Sequence, residues 1–239
     1  MEINKIYNED CMDTMSRMPD CFVDLVFTSP PYNLGNSKKG SFYGGKGKGD
    51  RIKYDDHNDD MPTDKYIEWQ HLLFKEWMRI LKPTGSIFYN HKPRILNGVY
   101  DDRKNLIPFP IRQEIIWDRC GMVNFSGGFF APNTEKIYIV AKPEWRPNKE
   151  FLGLGEVWRI PPDVNIDHPA PFPLALAQRI IVSSTNEGDI VYDPFMGSGT
   201  TAMACLKYKR NYIGSELTER YIQLSNKRLS PILTQGVIF

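Results

Sequence analysis

Thr28-Ser29-Pro30-Pro31-Tyr32-Asn33 directly follows the apolar run Phe22-Val23-Asp24-Leu25-Val26-Phe27. The run reads as a buried strand, and the hexapeptide as the stiff turn that ends it. Two consecutive prolines fix φ and remove two backbone donors, so the carbonyls of Ser29 and Pro30 are not consumed by a helix. Ser29 adds a side-chain acceptor and Tyr32 a flat face beside it. Acceptors next to a flat face suit a planar amine and the ring that carries it. Taken alone, a Pro-Pro turn at a strand end is only a turn, because short motifs recur by chance.

A second stretch, Asp193-Pro194-Phe195-Met196-Gly197-Ser198-Gly199-Thr200-Thr201, changes that reading. It lies between a strand-like segment, residues 189–192, and a helix-like one, residues 201–207. Glycines at a strand-to-helix turn let the backbone approach a ligand closely. A phosphate cradle would need a lysine before the Ser/Thr, and here Gly199 leads straight into Thr200. The next strand, residues 211–215, is followed by Glu216. In dinucleotide-binding units the acid at that place accepts from ribose hydroxyls.

Together the two stretches resemble the S-adenosylmethionine-dependent DNA amino-methyltransferases of the permuted (beta) class. In that family the catalytic tetrapeptide precedes a Phe-x-Gly-x-Gly cofactor loop. Ser29-Pro30-Pro31-Tyr32 matches the first block, and Phe195, Gly197 and Gly199 match the second. Asn8-Glu9-Asp10-Cys11 resembles the family's acidic turn at the cofactor adenine. His168-Pro169-Ala170-Pro171-Phe172-Pro173-Leu174 resembles its cofactor-flanking segment. The resemblance implies an α/β, Rossmann-like, three-layer αβα fold with a mostly parallel seven-stranded sheet and permuted motif order. It implies a single catalytic domain over residues 1–239. S-adenosylmethionine is the implied cofactor, held by Asp10, Cys11, His168, Phe172, Asp193, Phe195, Gly197, Ser198, Gly199, Thr200 and Glu216. The alternation of strands and helices argues separately for a parallel sheet with helices on both faces. The strand before Ser29 comes early and the strand before the glycine loop late, so the two are expected as neighbours with their loops at one carboxyl edge.

The resemblance also implies a chemistry. An exocyclic base amine is a poor nucleophile, because its lone pair is delocalised into the ring. Acceptors on its two hydrogens favour a pyramidal, more localised amine; the Ser29 side chain and the Pro30 carbonyl take that role, Pro31 stiffens the turn, and Tyr32 stacks the base. Inside a duplex the amine is paired, so the nucleotide has to be flipped at a cost on the order of a few kcal/mol. Positioning supplies most of the catalysis. Cytosine carbon-5 chemistry would need a Pro-Cys pair, and no cysteine here follows a proline. Phe27-Thr28-Ser29-Pro30-Pro31-Tyr32 resembles the cytosine-N4 branch, and Phe172 stands where many adenine enzymes have lysine; Asn33 is common among adenine-N6 enzymes. Protein-glutamine methyltransferases share the Pro-Pro-Tyr turn but place the cofactor loop first and Asn at the position of Ser29. An inactive DNA-binding module would show a damaged turn or glycine loop, and neither is damaged.

Lysine plus arginine is 30 against 29 acidic residues, so any nucleic-acid footprint must be local. Residues 34–63 carry glycines interleaved with Lys38, Lys39, Lys46, Lys48 and Arg51. A long aperiodic segment after the catalytic turn reads as a lid that orders on duplex DNA, its cations meeting phosphates. A calcium loop starting at Asp56 fails, because Met61 replaces the glycine and Ile67 the terminal Glu. Cys11, Cys21, Cys120 and Cys205 form no Cys-x-x-Cys pair, so no metal site or disulfide framework is expected. No apolar run approaches the roughly 20 residues of a membrane span, and residues 1–5 lack a signal-peptide core, which points to the cytoplasm.

Residues 64–81 form the clearest helix, with Lys82-Pro83-Thr84-Gly85 ending it and a strand at 86–89. Asn90-His91-Lys92 follows where substrate would lie. His91 there is more simply a satisfied loop histidine than a base. Further strands are expected at 111–117 and 136–141, and helices at 13–18, 174–183 and 217–229. Residues 145–165 occupy the place of a target-recognition region, with Arg146 and Arg159 able to grip phosphate or a guanine edge. That region is short, so a second copy of the chain is an expected partner, beside double-stranded DNA and a restriction endonuclease counterpart.

Overall fold

The computed structural model describes residues 1–33, 60–96, 98–121, 130, 132–163 and 172–235. Lys38, Lys39, Lys46, Lys48, Arg51 and His168 lie outside the described residues. In chain order the strands are β1 (Lys5–Tyr7), β2 (Val23–Thr28), β3 (Leu81–His91), β4 (Arg94–Leu96), β5 (Val99–Asp101), β6 (Gln113–Asp118), β7 (Thr134–Ala141), β8 (Val157–Arg159), β9 (Ile190–Asp193) and β10 (Asn211–Ser215). The α-helices are α1 (Cys11–Ser16), α2 (Thr63–Ile80), α3 (Leu174–Ser184), α4 (Thr200–Lys207) and α5 (Glu219–Gln235). None of these helices is long and apolar enough to cross a membrane.

One sheet runs in the order β1-β10-β9-β2-β3-β7-β6-β8. Every adjacent pair is parallel except those made by β7, which opposes both β3 and β6. The pairing of β2 with β9 is the expected one: Leu25 lies opposite Val191 and Val26 opposite Tyr192. The expected count of seven strands is corrected to eight. The added strand is β8, from the stretch expected to form a target-recognition region. It extends the edge beside β6 because Trp158 turns inward and is buried among core residues.

Alternation along the strands builds the two faces. Leu25, Phe27, Phe88, Ile139 and Val191 pack with residues of α3, α4 and α5 in one apolar cluster. Val26, Ile87, Tyr89, Tyr138 and Tyr192 pack with residues of α1 and α2 in the other. The result is the three-layer arrangement expected.

Some boundaries move. Helix α5 starts two residues later than expected and runs past Leu229, with Pro231 inside it. Residues 82–85 belong to β3 as an irregularity: Val23 is opposite Leu81, but Leu25 is opposite Ser86. The two-stranded β4–β5 sheet has no counterpart in the sequence reading, since three-residue strands carry no periodicity.

The functional consequence lies at one edge. Strands β1, β10, β9, β2 and β3 run the same way, so Tyr7, Ser215, Asp193, Thr28 and His91 end them side by side. Ligands of open α/β sheets bind at that carboxyl edge. The antiparallel β7 brings its beginning, Thr134 and Glu135, to the same edge.

Candidate active site

The Pro-Pro turn sits at the end of β2 and is held by β3 and α2. The Ser29 and Tyr32 hydroxyls lie 2.6 Å apart. Asn90, at the end of β3, donates Nδ2 to the Tyr32 hydroxyl at 3.1 Å and to Ser29 Oγ at 3.4 Å. The same nitrogen donates to Glu135 Oε2 at 3.1 Å. Arg119 Nη1 lies 3.3 Å from the other oxygen of Glu135. From α2, the Tyr66 hydroxyl donates to the Pro31 carbonyl at 2.8 Å and lies 3.1 Å from His91 Nε2.

His91 is buried, with its ring 4.6 Å from that of Tyr32. Burial and the nearby Arg103 guanidinium push its imidazole down to about 3. It is therefore neutral in the working range and packs against Tyr32 as a tilted ring, with no proton to take up as a base there, in line with the sequence reading. Asn33, at φ 54°, clasps Met61 twice: its Nδ2 donates to the Met61 carbonyl at 2.8 Å, and its Oδ1 accepts from the Met61 amide at 2.7 Å.

The glycine loop joins β9 to α4. Asp193 is buried; its carboxylate accepts from the Phe195 amide at 3.1 Å and from the Thr201 hydroxyl at 2.5 Å. Burial pushes this carboxyl up to about 7. Gly197 donates its amide to Glu216 Oε2 at 2.8 Å, and Thr218 donates to Oε1 at 2.9 Å, so the loop and the end of β10 share one carboxylate. Helix α5 grips the loop from behind. Ser225 donates to the Gly197 carbonyl at 2.7 Å, and Arg228 donates to the Ser198 carbonyl and hydroxyl at 2.5 and 2.7 Å.

Gly199 holds φ 80°, and a Cβ there would stand 3.0 Å from Ser225 Cβ and Oγ. The positive φ and the close approach of helix α5 both call for glycine at this position. Thr200 begins α4 and its hydroxyl accepts from Arg228 at 3.3 Å.

Asp10 caps α1, its Oδ1 accepting from the Met12 amide at 2.8 Å. Cys11 is buried and its thiol is pushed up by that burial, which leaves it inert at neutral pH. Phe172 packs on Phe27 with ring centroids 4.5 Å apart, and Phe195 lies edge-on to Trp69 at 5.8 Å. The acids Asp10 and Glu216, at the ends of the adjacent strands β1 and β10, form a donor-accepting pair of ends suited to a ribose and an adenine amine. With the close-packed glycine loop after β9 on the other side of Glu216, the residues fit S-adenosylmethionine.

The two described DNA candidates part company. Arg159 ends β8 at the carboxyl edge, is 79% exposed, and pairs with Asp118 at 3.3 Å. Arg146 follows the end of the antiparallel β7, so it lies at the opposite edge, where its Nη1 donates to the Pro143 and Trp145 carbonyls. Glu135, Ser225 and Arg228 carry no signal in the sequence, since each reaches the site from an element far along the chain.

Similarity agrees with this geometry. The Type II methyltransferase M2.MboI of Moraxella bovis is 31% identical over 252 residues, covering 95% of this chain and 89% of the relative. The DNA adenine methyltransferase YhdJ of Escherichia coli (strain K12) is 28% identical, covering 95% of this chain and 83% of its own. The solved PvuII DNA methyltransferase (cytosine-N4-specific) superposes with a TM-score of 0.75 at 21% identity, covering 94% of this chain and 85% of that one. A DNA methylase family model matches residues 23–227, and the chain belongs to that family, the S-adenosylmethionine-dependent N6/N4 DNA methyltransferases.

Proposed function

We propose that this enzyme methylates cytosine N4 in duplex DNA at a specific sequence, with Ser29, Pro30, Pro31 and Tyr32 as the catalytic turn. The observation that carries the reading is the acceptor set at the end of β2: a tetrapeptide whose first side chain is a neutral hydroxyl, held by the Asn90 amide. S-adenosylmethionine supplies an electrophilic methyl group. Ser29 and the Pro30 carbonyl accept the two amine hydrogens, and Tyr32 turns from Ser29 to stack the flipped base. Asp10, Asp193, Phe195, Gly197 and Glu216 line the cofactor side, and Ser198, Gly199 and Thr200 shape its loop. Arg159 and the cations of residues 34–63 meet phosphate. Arg146, on the far edge, is left out of this reading. We further propose a homodimer on DNA, because residues 145–165 give part of their length to the sheet edge, and an endonuclease of matching specificity as the enzyme's counterpart.

Adenine N6 is the second reading, favoured by Asn33 after the tyrosine and by the adenine specificity in the name of the relative YhdJ. One experiment separates them: labelled methyl transfer onto mixed DNA, then mass spectrometry of the nucleosides. N4-methyldeoxycytidine is expected. N6-methyldeoxyadenosine alone would overturn the choice of base, and label in neither would overturn the function. Ser29→Ala should abolish turnover and keep cofactor affinity with either base.

A further inference from the structure

We propose that Asn90 and Glu135 complete the catalytic centre, with Glu135 supplying the negative charge that Ser29 lacks and Asn90 holding the two in register. The proposal rests on the reading of Ser29 as acceptor of the target amine.

The chemistry creates the need. As the amine nitrogen bonds to the methyl carbon, the carbon–sulfur pair leaves with sulfur. The positive charge passes to nitrogen and stays until an N–H proton departs to water. A carboxylate in the turn would meet that charge directly. Ser29 is neutral and can offer that nitrogen only a hydrogen-bond acceptor, without charge. Among the described residues, the carboxylate joined to Ser29 by a single intervening group is Glu135, reached through Asn90 Nδ2. It is 8% exposed, so its field is little screened by water.

The amide between them has only one orientation. A carboxylate accepts and does not donate, so the NH2 end of Asn90 has to face Glu135. One of its hydrogens serves Glu135, and the other is shared between the Tyr32 hydroxyl and Ser29 Oγ. Once Tyr32 swings out to stack a base, the shared hydrogen goes to Ser29 alone. It then fills one lone pair and leaves the other for the amine. The remaining atom, Asn90 Oδ1, is buried and accepts from no described residue. A buried acceptor without a donor is costly, and the carboxylate keeps this oxygen, rather than the NH2 end, turned away from Glu135.

The Glu135–Arg119 pair is itself unsaturated. The guanidinium meets one carboxylate oxygen at 3.3 Å, and its Nε has no acceptor among the described residues.

The test is single-turnover methyl transfer at saturating cofactor, run on Glu135→Gln, Glu135→Asp, Asn90→Ala and Ser29→Ala together. Cofactor and DNA affinity and the thermal midpoint are measured on each. Glu135→Gln should lose at least about tenfold in transfer rate, with both affinities and the midpoint close to wild type. Glu135→Asp should recover part of that loss, and Asn90→Ala should fall at least as far as Glu135→Gln. Wild-type transfer by Glu135→Gln beside a dead Ser29→Ala would overturn this proposal and leave the Ser29 reading intact. A loss in Glu135→Gln matched by equal losses of affinity and midpoint would make the residue structural and overturn it too. A fully active Ser29→Ala would remove the parent reading and this proposal with it.

Discussion

The phenol of Tyr32 closes on the hydroxyl of Ser29 at 2.6 Å, inside the turn assigned to the target amine. On the function proposed above, the target amine needs the Ser29 oxygen that this contact occupies, so base entry has to break it. On the same reading the ring serves stacking and the hydroxyl does not enter the chemistry.

Tyr32→Phe should therefore keep methyl transfer, at or above the wild-type rate, while Tyr32→Ala should lose it by about tenfold or more, the ring's stacking being worth roughly 1–3 kcal/mol. Transfer rates at saturating DNA measure both. A dead Tyr32→Phe would mean that the hydroxyl takes part in the chemistry.

Gly199→Ala should destabilise the fold by about 1–3 kcal/mol. The cause is a side chain forced to φ 80° against Ser225. Pairing it with Ser225→Gly should relieve the clash and leave the backbone strain, recovering only part of the loss. Urea unfolding with and without S-adenosylmethionine checks this. If the variant lost cofactor affinity alone, at unchanged stability, the glycine would be serving the ligand instead of helix α5.

Replacing Lys38, Lys39, Lys46 and Lys48 by alanine should flatten the slope of log affinity against log salt by about 0.9 for each phosphate left without its cation. Binding to duplex DNA across a salt series measures it. An unchanged slope would leave these lysines merely solvated.

The sheet was readable because Phe22 to Phe27 is apolar at every position but Asp24, and because the two motif turns mark strand ends on their own. Their meeting as β2 and β9 followed from order alone. Asn90 could be placed at a strand end, but its tie to Glu135 could not. That tie depends on β7 running against its neighbours, a register between residues 45 apart. Gly199 shows a different limit. A positive φ at a helix start looks the same in sequence whether the neighbour is a ligand or a helix. Trp158 falls inside the stretch expected to form a recognition region and is core, because three residues are too few to show a strand's period.

Two buried groups should titrate with opposite effects on stability. Burial holds the Asp193 carboxyl up at about 7. The folded chain thus keeps a proton that an unfolded carboxyl, near about 4, has already released. That contribution is full below about pH 4 and is lost as pH rises through about 7. His91, held down to about 3, behaves the other way. The unfolded ring gains a proton below about 6.5 that the folded ring refuses, so its contribution is present above that value and lost as pH falls. Between about pH 5 and 6 the two slopes cancel in the wild type. Asp193→Asn should uncover the histidine slope, making stability relative to wild type rise by about 1.4 kcal/mol per pH unit. His91→Gln should uncover the carboxyl slope and make it fall by a similar amount. Urea unfolding of the three proteins at pH 5.0, 5.5 and 6.0 gives the differences directly. Parallel curves for wild type and Asp193→Asn would show that the carboxyl is ionised in the folded chain.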